Sequence, residues 1–153
     1  MRLLKDLQMA TWDDVVRIAR ELPETNEATS YGNRSWAVNK KSFAWERPLR
    51  KADLEALGAG APAGPILGVR TPDLELKEAL IASDPRVFFT TPHFDGYAAV
   101  LIVLSAIRVP ALRDVMREAW LARAPKRLAE QYLAERKKPA SRRSSREGEE
   151  APP

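Results

Sequence analysis

The sequence predicts an α+β fold: a two-layer sandwich with a mainly antiparallel five-stranded sheet, one face covered by helices. Three observations predict it. Reading along the chain gives helix, three strands, helix, two strands and then helices. The strands are joined mostly by short polar turns, which suits hairpins. The helices are too few to cross between every consecutive pair of strands, so a parallel sheet is excluded.

Residues 1–10 form a lead-in. Thr11 then has the character of an N-cap, with Asp13 and Asp14 in the first turn, where carboxylates complement the helix dipole. Trp12, Val15, Val16, Ala19 and Leu22 follow at helical spacing as one apolar stripe. Pro23 disfavours helical geometry at Leu22 and stops the helix. Residues 24–30 are polar and read as loop.

Ser35-Trp36-Ala37-Val38 and Ser42-Phe43-Ala44-Trp45-Glu46 are two β-prone runs around Asn39-Lys40-Lys41. They form a hairpin, with Trp36, Val38, Phe43 and Trp45 expected on one bulky face. A short helical piece over 52–57 is stopped by Gly58. The loop over 58–65 is rich in Gly, Ala and Pro and neither follows a strand nor opens a helix, so a phosphate loop is excluded. Ile66-Leu67-Gly68-Val69-Arg70 is the third strand.

Thr71-Pro72-Asp73 starts the second main helix, with Leu76, Leu80 and Ile81 turned inward. Ser83-Asp84-Pro85 ends it. Val87-Phe88-Phe89-Thr90 is the fourth strand and the apolar run 98–106 the fifth. Between them Thr90-Thr91-Pro92-His93-Phe94-Asp95-Gly96-Tyr97 reads as the turn that sets their register. Val109-Pro110 opens a third helix, with Leu112, Val115, Met116, Ala119 and Trp120 at helical spacing. Ala124-Pro125 restarts the chain into a fourth, 126–136. The expected domain is 11–136, and 137–153 reads as a disordered basic tail of Pro, Ser, Arg and Glu.

Composition limits function. One histidine and no cysteine exclude disulfides, thiolate chemistry and the usual zinc sites. No cofactor is expected. No apolar run approaches the roughly 20 residues of a membrane helix, and the charged N-terminus lacks a signal-peptide core. A cytoplasmic location is expected.

The chain has 25 basic and 21 acidic residues, net +4, with a pI near 9.6. From Arg136 onward six basic residues face three acids, which leaves 19 basic and 18 acidic residues over 1–135. The charge is therefore concentrated late. From 108 to 138, nine basic residues face Asp114, Glu118, Glu130 and Glu135.

Ser30-Tyr31-Gly32 with Trp36-Ala37-Val38 and Lys41-Ser42-Phe43-Ala44 resembles the opening hairpin of the MmcQ/YjbR family. Lys77-Glu78-Ala79-Leu80, Asp84-Pro85 and the block Phe88-Phe89-Thr90-Thr91-Pro92-His93-Phe94-Asp95-Gly96-Tyr97 resemble its central segment. Ala119-Trp120 and Ala124-Pro125-Lys126-Arg127-Leu128 resemble its C-terminal helices. Asn33-Arg34-Ser35 departs from the proline-containing entry expected before the hairpin strand. The resemblance implies an α-β(3)-α-β(2)-α fold like that of secretion chaperones, here with an extra C-terminal helix. It implies a DNA-binding protein with a double-wing arrangement, and no catalytic residue.

His93 is the obvious catalytic temptation, but no base–orienter–nucleophile set surrounds it in sequence. It reads first as part of a turn, with Asp95-Gly96 supplying the bend, and His93 and Tyr97 stand as candidate ligand contacts. Glu75 and Glu78 read as a solvated helix face. The expected protein is not an enzyme.

The broadest functional signal is cationic: Lys40, Lys41, Arg113, Arg117, Arg123, Lys126 and Arg127 are the candidate nucleic-acid contacts, for non-specific or weakly specific DNA binding. The alternative is a protein-interaction or small-ligand module. Both sides of the fifth strand are apolar, so its second face needs cover from the later helices, the N-terminal segment or another subunit. A homo-oligomer or protein partner is the corresponding expectation.

Overall fold

Helix α1 (Trp12–Glu21) begins where its capping chemistry dictates. Thr11 is the N-cap, and its backbone N–H donates to the Asp14 carboxylate at 2.9 Å while the Asp14 N–H returns to the Thr11 hydroxyl. This reciprocal box satisfies two donors that a helix start leaves open. Burial penalises the Asp14 charge, yet Arg17 and the Thr11 donors overcome that cost and hold its carboxyl below the ordinary value. A computed structural model describes residues 8–137. The expectations for the tail beyond 137 and for the first seven residues fall outside those described.

Six strands, not five, form one sheet in the order β1-β2-β3-β4-β6-β5, all antiparallel. The strands are β1 (Thr25–Ser30), β2 (Asn33–Val38), β3 (Lys41–Glu46), β4 (Ile66–Arg70), β5 (Phe88–Phe89) and β6 (Ala99–Val103). The additional strand, β1, is the segment whose polarity marks it as loop. It lies at an edge with five of its six residues exposed, so it needs only backbone pairing to β2 and carries no apolar signal. The remaining helices are α2 (Lys51–Leu57), α3 (Leu74–Ser83), α4 (Val109–Arg123) and α5 (Lys126–Lys137).

Both hairpin turns have two residues with positive φ, Tyr31-Gly32 and Asn39-Lys40. That is the geometry whose twist matches paired strands. The β2–β3 ladder then contains a bulge. Ala37 pairs with Ser42 and Trp36 with Ala44, which leaves Phe43 as an extra residue on β3. Alternation slips by one at this point, so the expectation of one bulky face fails. Trp36 and Val38 face α4, whereas Trp45 falls on the opposite face, paired with Gly68.

Helix α4 lies over the centre of the first face and buries Leu112, Met116, Ala119 and Trp120 against Trp36, Phe43, Leu67 and Val69. Helix α1 packs beside it, and the Trp120 indole N–H donates to the Pro23 carbonyl at 3.0 Å. The other face is closed at β4 and β6 by a smaller cluster. Ile66, Ala99, Leu101 and Phe94 are buried there, with Trp45, Leu49, Phe89 and Val103 packed around them. The continuous apolar runs of β4 and β6 follow from this double cover.

Three boundaries differ from the sequence expectation. Strand β5 has only two residues and sits at the sheet edge, so the segment after it does not join two central strands. It contains a 3₁₀ turn, Pro92–Phe94. Strand β6 stops at Val103, followed by another 3₁₀ turn, Leu104–Ala106. The cap of α3 is Asp73, whose carboxylate accepts from the Leu76 N–H at 2.8 Å, and Pro72 stays outside the helix.

The described residues divide into two compact units between Arg123 and Ala124. Helix α5 belongs to the second and starts after Pro125, with the Arg136 guanidinium 5.6 Å from the Tyr132 ring centre. No described helix is long and apolar enough to cross a membrane.

Candidate functional site

A cleft of about 630 Å³ opens beside the β2–β3 hairpin. Its walls are the β1–β2 turn with Tyr31 and Arg34, the end of β3 with Trp45 and Glu46, the segment Arg47-Pro48-Leu49-Arg50, and His93 with Phe94. A depression of about 90 Å³ shares Trp45, His93 and Phe94 and is completed by Arg70, Tyr97 and Ala99. The shared floor is aromatic. The Trp45 and Phe94 ring centres are 6.4 Å apart, and His93 meets Phe94 edge-on at 4.8 Å.

Trp45 owes its position to Gly68. A Cβ on Gly68 would sit 2.6 Å from Cε2 and Nε1 of the indole, closer than packed atoms approach. The glycine therefore lets the indole lie flat across the neighbouring strand. Phe94 is held from beneath by Arg47, whose guanidinium carbon is 5.3 Å from the ring centre. Arg47 is itself buried and pairs with Asp53 of α2 at 3.0 Å, while also donating to the Pro48 carbonyl at 2.7 Å. Burial alone would raise the Asp53 carboxyl. The Arg50 N–H at 2.8 Å and the Arg47 guanidinium prevail and hold it below the ordinary 3.8.

Lys77 fixes the other side of the loop. It is the one buried residue of α3, at 5% exposure, and its ammonium donates to the carbonyls of Phe94 at 2.7 Å and Tyr97 at 2.9 Å. Burial lowers its pKa from 10.5, and Asp95 and Glu78 oppose that shift. The half-buried Leu76, Leu80 and Ile81 flank it, so the inward face expected of α3 is centred on a cation. A lysine in a helix pattern gives no signal of this role, because its two acceptors lie 17 and 20 residues away.

Two cations of the cleft already hold carboxylates. Arg34 pairs with Glu46 at 3.2 Å and its guanidinium carbon is 5.7 Å from both the Trp12 and Trp36 rings. Arg47 pairs with Asp53. Arg50 is exposed, and among the described residues no carboxylate pairs with its side chain. Tyr31 stands at the cleft mouth with 101% exposure and a left-handed φ of 52°. A bulky side chain in that region is strained, and such strain gathers at functional positions.

The candidate residues read from the sequence are distributed unevenly. His93 and Tyr97 are exposed and line the small depression, His93 lining the cleft as well. Lys40 and Lys41 are exposed at the β2–β3 turn, and Arg123 reaches the same end, its Nε donating to the Ser42 carbonyl at 3.3 Å. Arg70 is near enough to Arg123 for repulsion to add to burial in lowering its pKa. Arg113 instead pairs with Glu21 of α1 at 3.4 Å, and Arg117 with Asp114 at 3.2 Å. Lys126 and Arg127 are exposed at the start of α5, in the second unit. Thr91 is buried, and no group of three or more His, Asp or Glu residues gathers among those described. Tyr31, Trp45 and Arg50 line the site although none of them is a site candidate in the sequence, where Tyr31 and Trp45 read only as parts of the hairpin. The only local signal was a tyrosine in front of a turn glycine.

Comparison with known proteins agrees with this architecture. Uncharacterised proteins of Mycobacterium tuberculosis and Mycobacterium bovis are each 54% identical over 129 residues, covering 82% of this chain and 98% of the relative. A crystal structure of a Deinococcus radiodurans protein with a DUF419 domain superposes with a TM-score of 0.56 at 20% identity, over 76% of this chain and 80% of that one. At that identity the likeness speaks for the fold. The YjbR family model matches residues 20–122, most of the helix-backed sheet and the whole cleft, and the chain belongs to the YjbR family.

Proposed function

We propose that this protein binds DNA, non-specifically or with weak specificity, through cationic side chains. The observation that supports the reading is the convergence of Lys40, Lys41, Arg70 and Arg123 at one end of the hairpin, where no carboxylate pairs with Lys40, Lys41 or Arg123 among the described residues. Unpaired cations on one surface release counterions from a phosphate backbone, whereas Arg113 and Arg117 are already neutralised by Glu21 and Asp114. The double-wing description fits the two projecting turns, Tyr31-Gly32 and Asn39-Lys40, at opposite ends of β2. In this reading the protein is a binding module and not an enzyme, and its work is cytoplasmic.

The test is fluorescence anisotropy of the full chain with a short duplex at two salt concentrations. Replacing Lys40, Lys41 and Arg123 with alanine together should weaken binding at low salt. The salt slope should fall by about one for each phosphate no longer neutralised. Undiminished binding by that variant would sink the reading for these cations. A second reading, a small-ligand module, is favoured by the cleft, whose volume falls within the roughly 300–1,000 Å³ of ligand pockets.

A further inference from the structure

We propose that the Tyr31–Trp45–Arg50 cleft takes one unstacked nucleobase together with its adjoining phosphate, so that the protein prefers single-stranded over duplex DNA. The inference rests on the DNA-binding reading and gives that reading a strandedness. A volume of about 630 Å³ admits a base and its sugar-phosphate but no duplex. Its floor is the tilted Trp45–Phe94 pair, with His93 at the edge, and a planar aromatic ligand is what such a floor accommodates. The ring faces of a base are covered by its neighbours inside a duplex and are free only in a single strand.

The charge is matched to the ligand. Arg34 and Arg47 are neutralised by Glu46 and Asp53, so their guanidinium groups shape the wall. Arg50 is left as an unpaired donor for one phosphate. Tyr31 is presented fully to solvent at the mouth, in a backbone position that asparagine or glycine would fill with less strain. A phenol ring held there can close over a base seated on the aromatic floor. From the cleft, the six residues of β2 lead to the cations around Lys40, roughly 20 Å away, so a bound strand meets further charge along the hairpin.

The experiment compares fluorescence anisotropy of the full chain with a labelled oligothymidylate, an abasic strand of the same length and a duplex of the same length, at low salt. Thymidine monophosphate serves as competitor. The expected result is tighter binding of oligothymidylate than of duplex. Tyr31→Ala and Arg50→Ala should each lose about tenfold in affinity for oligothymidylate, Tyr31→Phe should retain it, and duplex binding should stay within about twofold in all three. Unchanged unfolding midpoints would separate these losses from misfolding. Equal affinity for the abasic and base-bearing strands would overturn the inference and leave DNA binding standing. Absence of binding to strand and duplex alike would overturn both. Competition by thymidine monophosphate at the affinity of the oligomer would make the occupant a free nucleotide and overturn the preference for a strand.

Discussion

The Lys77 ammonium donates to the Phe94 carbonyl at 2.7 Å, across 17 residues of sequence. With its second bond to Tyr97 it ties α3 to the loop that carries His93 and Phe94 into the cleft. The aromatic floor is therefore held by a buried cation on one side and by the Arg47–Asp53 pair on the other.

Lys77→Met keeps the aliphatic stem and removes both charge-assisted hydrogen bonds, leaving the Phe94 carbonyl only the Tyr97 N–H and the Tyr97 carbonyl only the Ala99 N–H as donors. The expected cost is about 2–4 kcal/mol in urea unfolding at neutral pH. The pH dependence has a definite sign. Folded Lys77 releases its proton below the 10.5 of the unfolded chain, so between the two values the unfolded chain binds more protons. The Lys77 contribution to stability should thus rise with pH over that interval, and the difference curve against the methionine variant reads it directly.

Asp53→Ala strands the Arg47 guanidinium in a buried site and should cost about 3–5 kcal/mol. Replacing both partners, Arg47→Met with Asp53→Leu, should recover part of that loss, since an apolar pair leaves no buried charge, while the Arg50 N–H still loses its carboxylate acceptor. Because the Asp53 carboxyl is held below 3.8 in the folded state, its stabilisation is present above that pH and lost as pH falls through the lowered value. Acid unfolding should be less steep in the double variant than in the parent.

Gly68→Ala drives a methyl into the Trp45 indole, whose atoms lie 2.6 Å from the new carbon. Overpacking of this kind should cost about 1–3 kcal/mol. Trp45 must tilt off β4, so its fluorescence maximum should move and the cleft floor should change shape. A variant with parental stability and an unmoved spectrum would contradict the packing described for this pair.

Tyr31→Asn converts the first turn to Asn-Gly, the pair best suited to two left-handed residues. The unfolding midpoint should rise by about 2–4 °C, because the side chain itself packs on nothing and only backbone strain is relieved. Oligothymidylate binding should fall in the same variant. Such a trade of stability against binding marks a residue kept for its ligand.

Much of the fold was legible because it is carried by local chemistry. The Thr11–Asp14 box, the helical spacing along α4 and the two runs of the hairpin are written within a few residues of each other. Strand β1 was not legible, since an exposed edge strand is held by backbone pairing and its side chains need obey no apolar pattern. The bulge at Phe43 was equally hidden. It moved Trp45 to the face opposite Trp36, and with it the floor of the site.

The sequence by itself determined the fold class, the family and the residue types available for function: one histidine, no cysteine and a late excess of cations. Only the tertiary structure decided which of these meet. Arg113 and Arg117 found carboxylates on α1 and α4, Lys40, Lys41 and Arg123 did not, and Tyr31, Trp45, Arg50 and His93 came together from four separate segments. The physical reason is range. Capping and periodicity act within a turn or two of the chain, whereas charge pairing, ring packing and the room a glycine leaves depend on neighbours that only the folded sheet brings together.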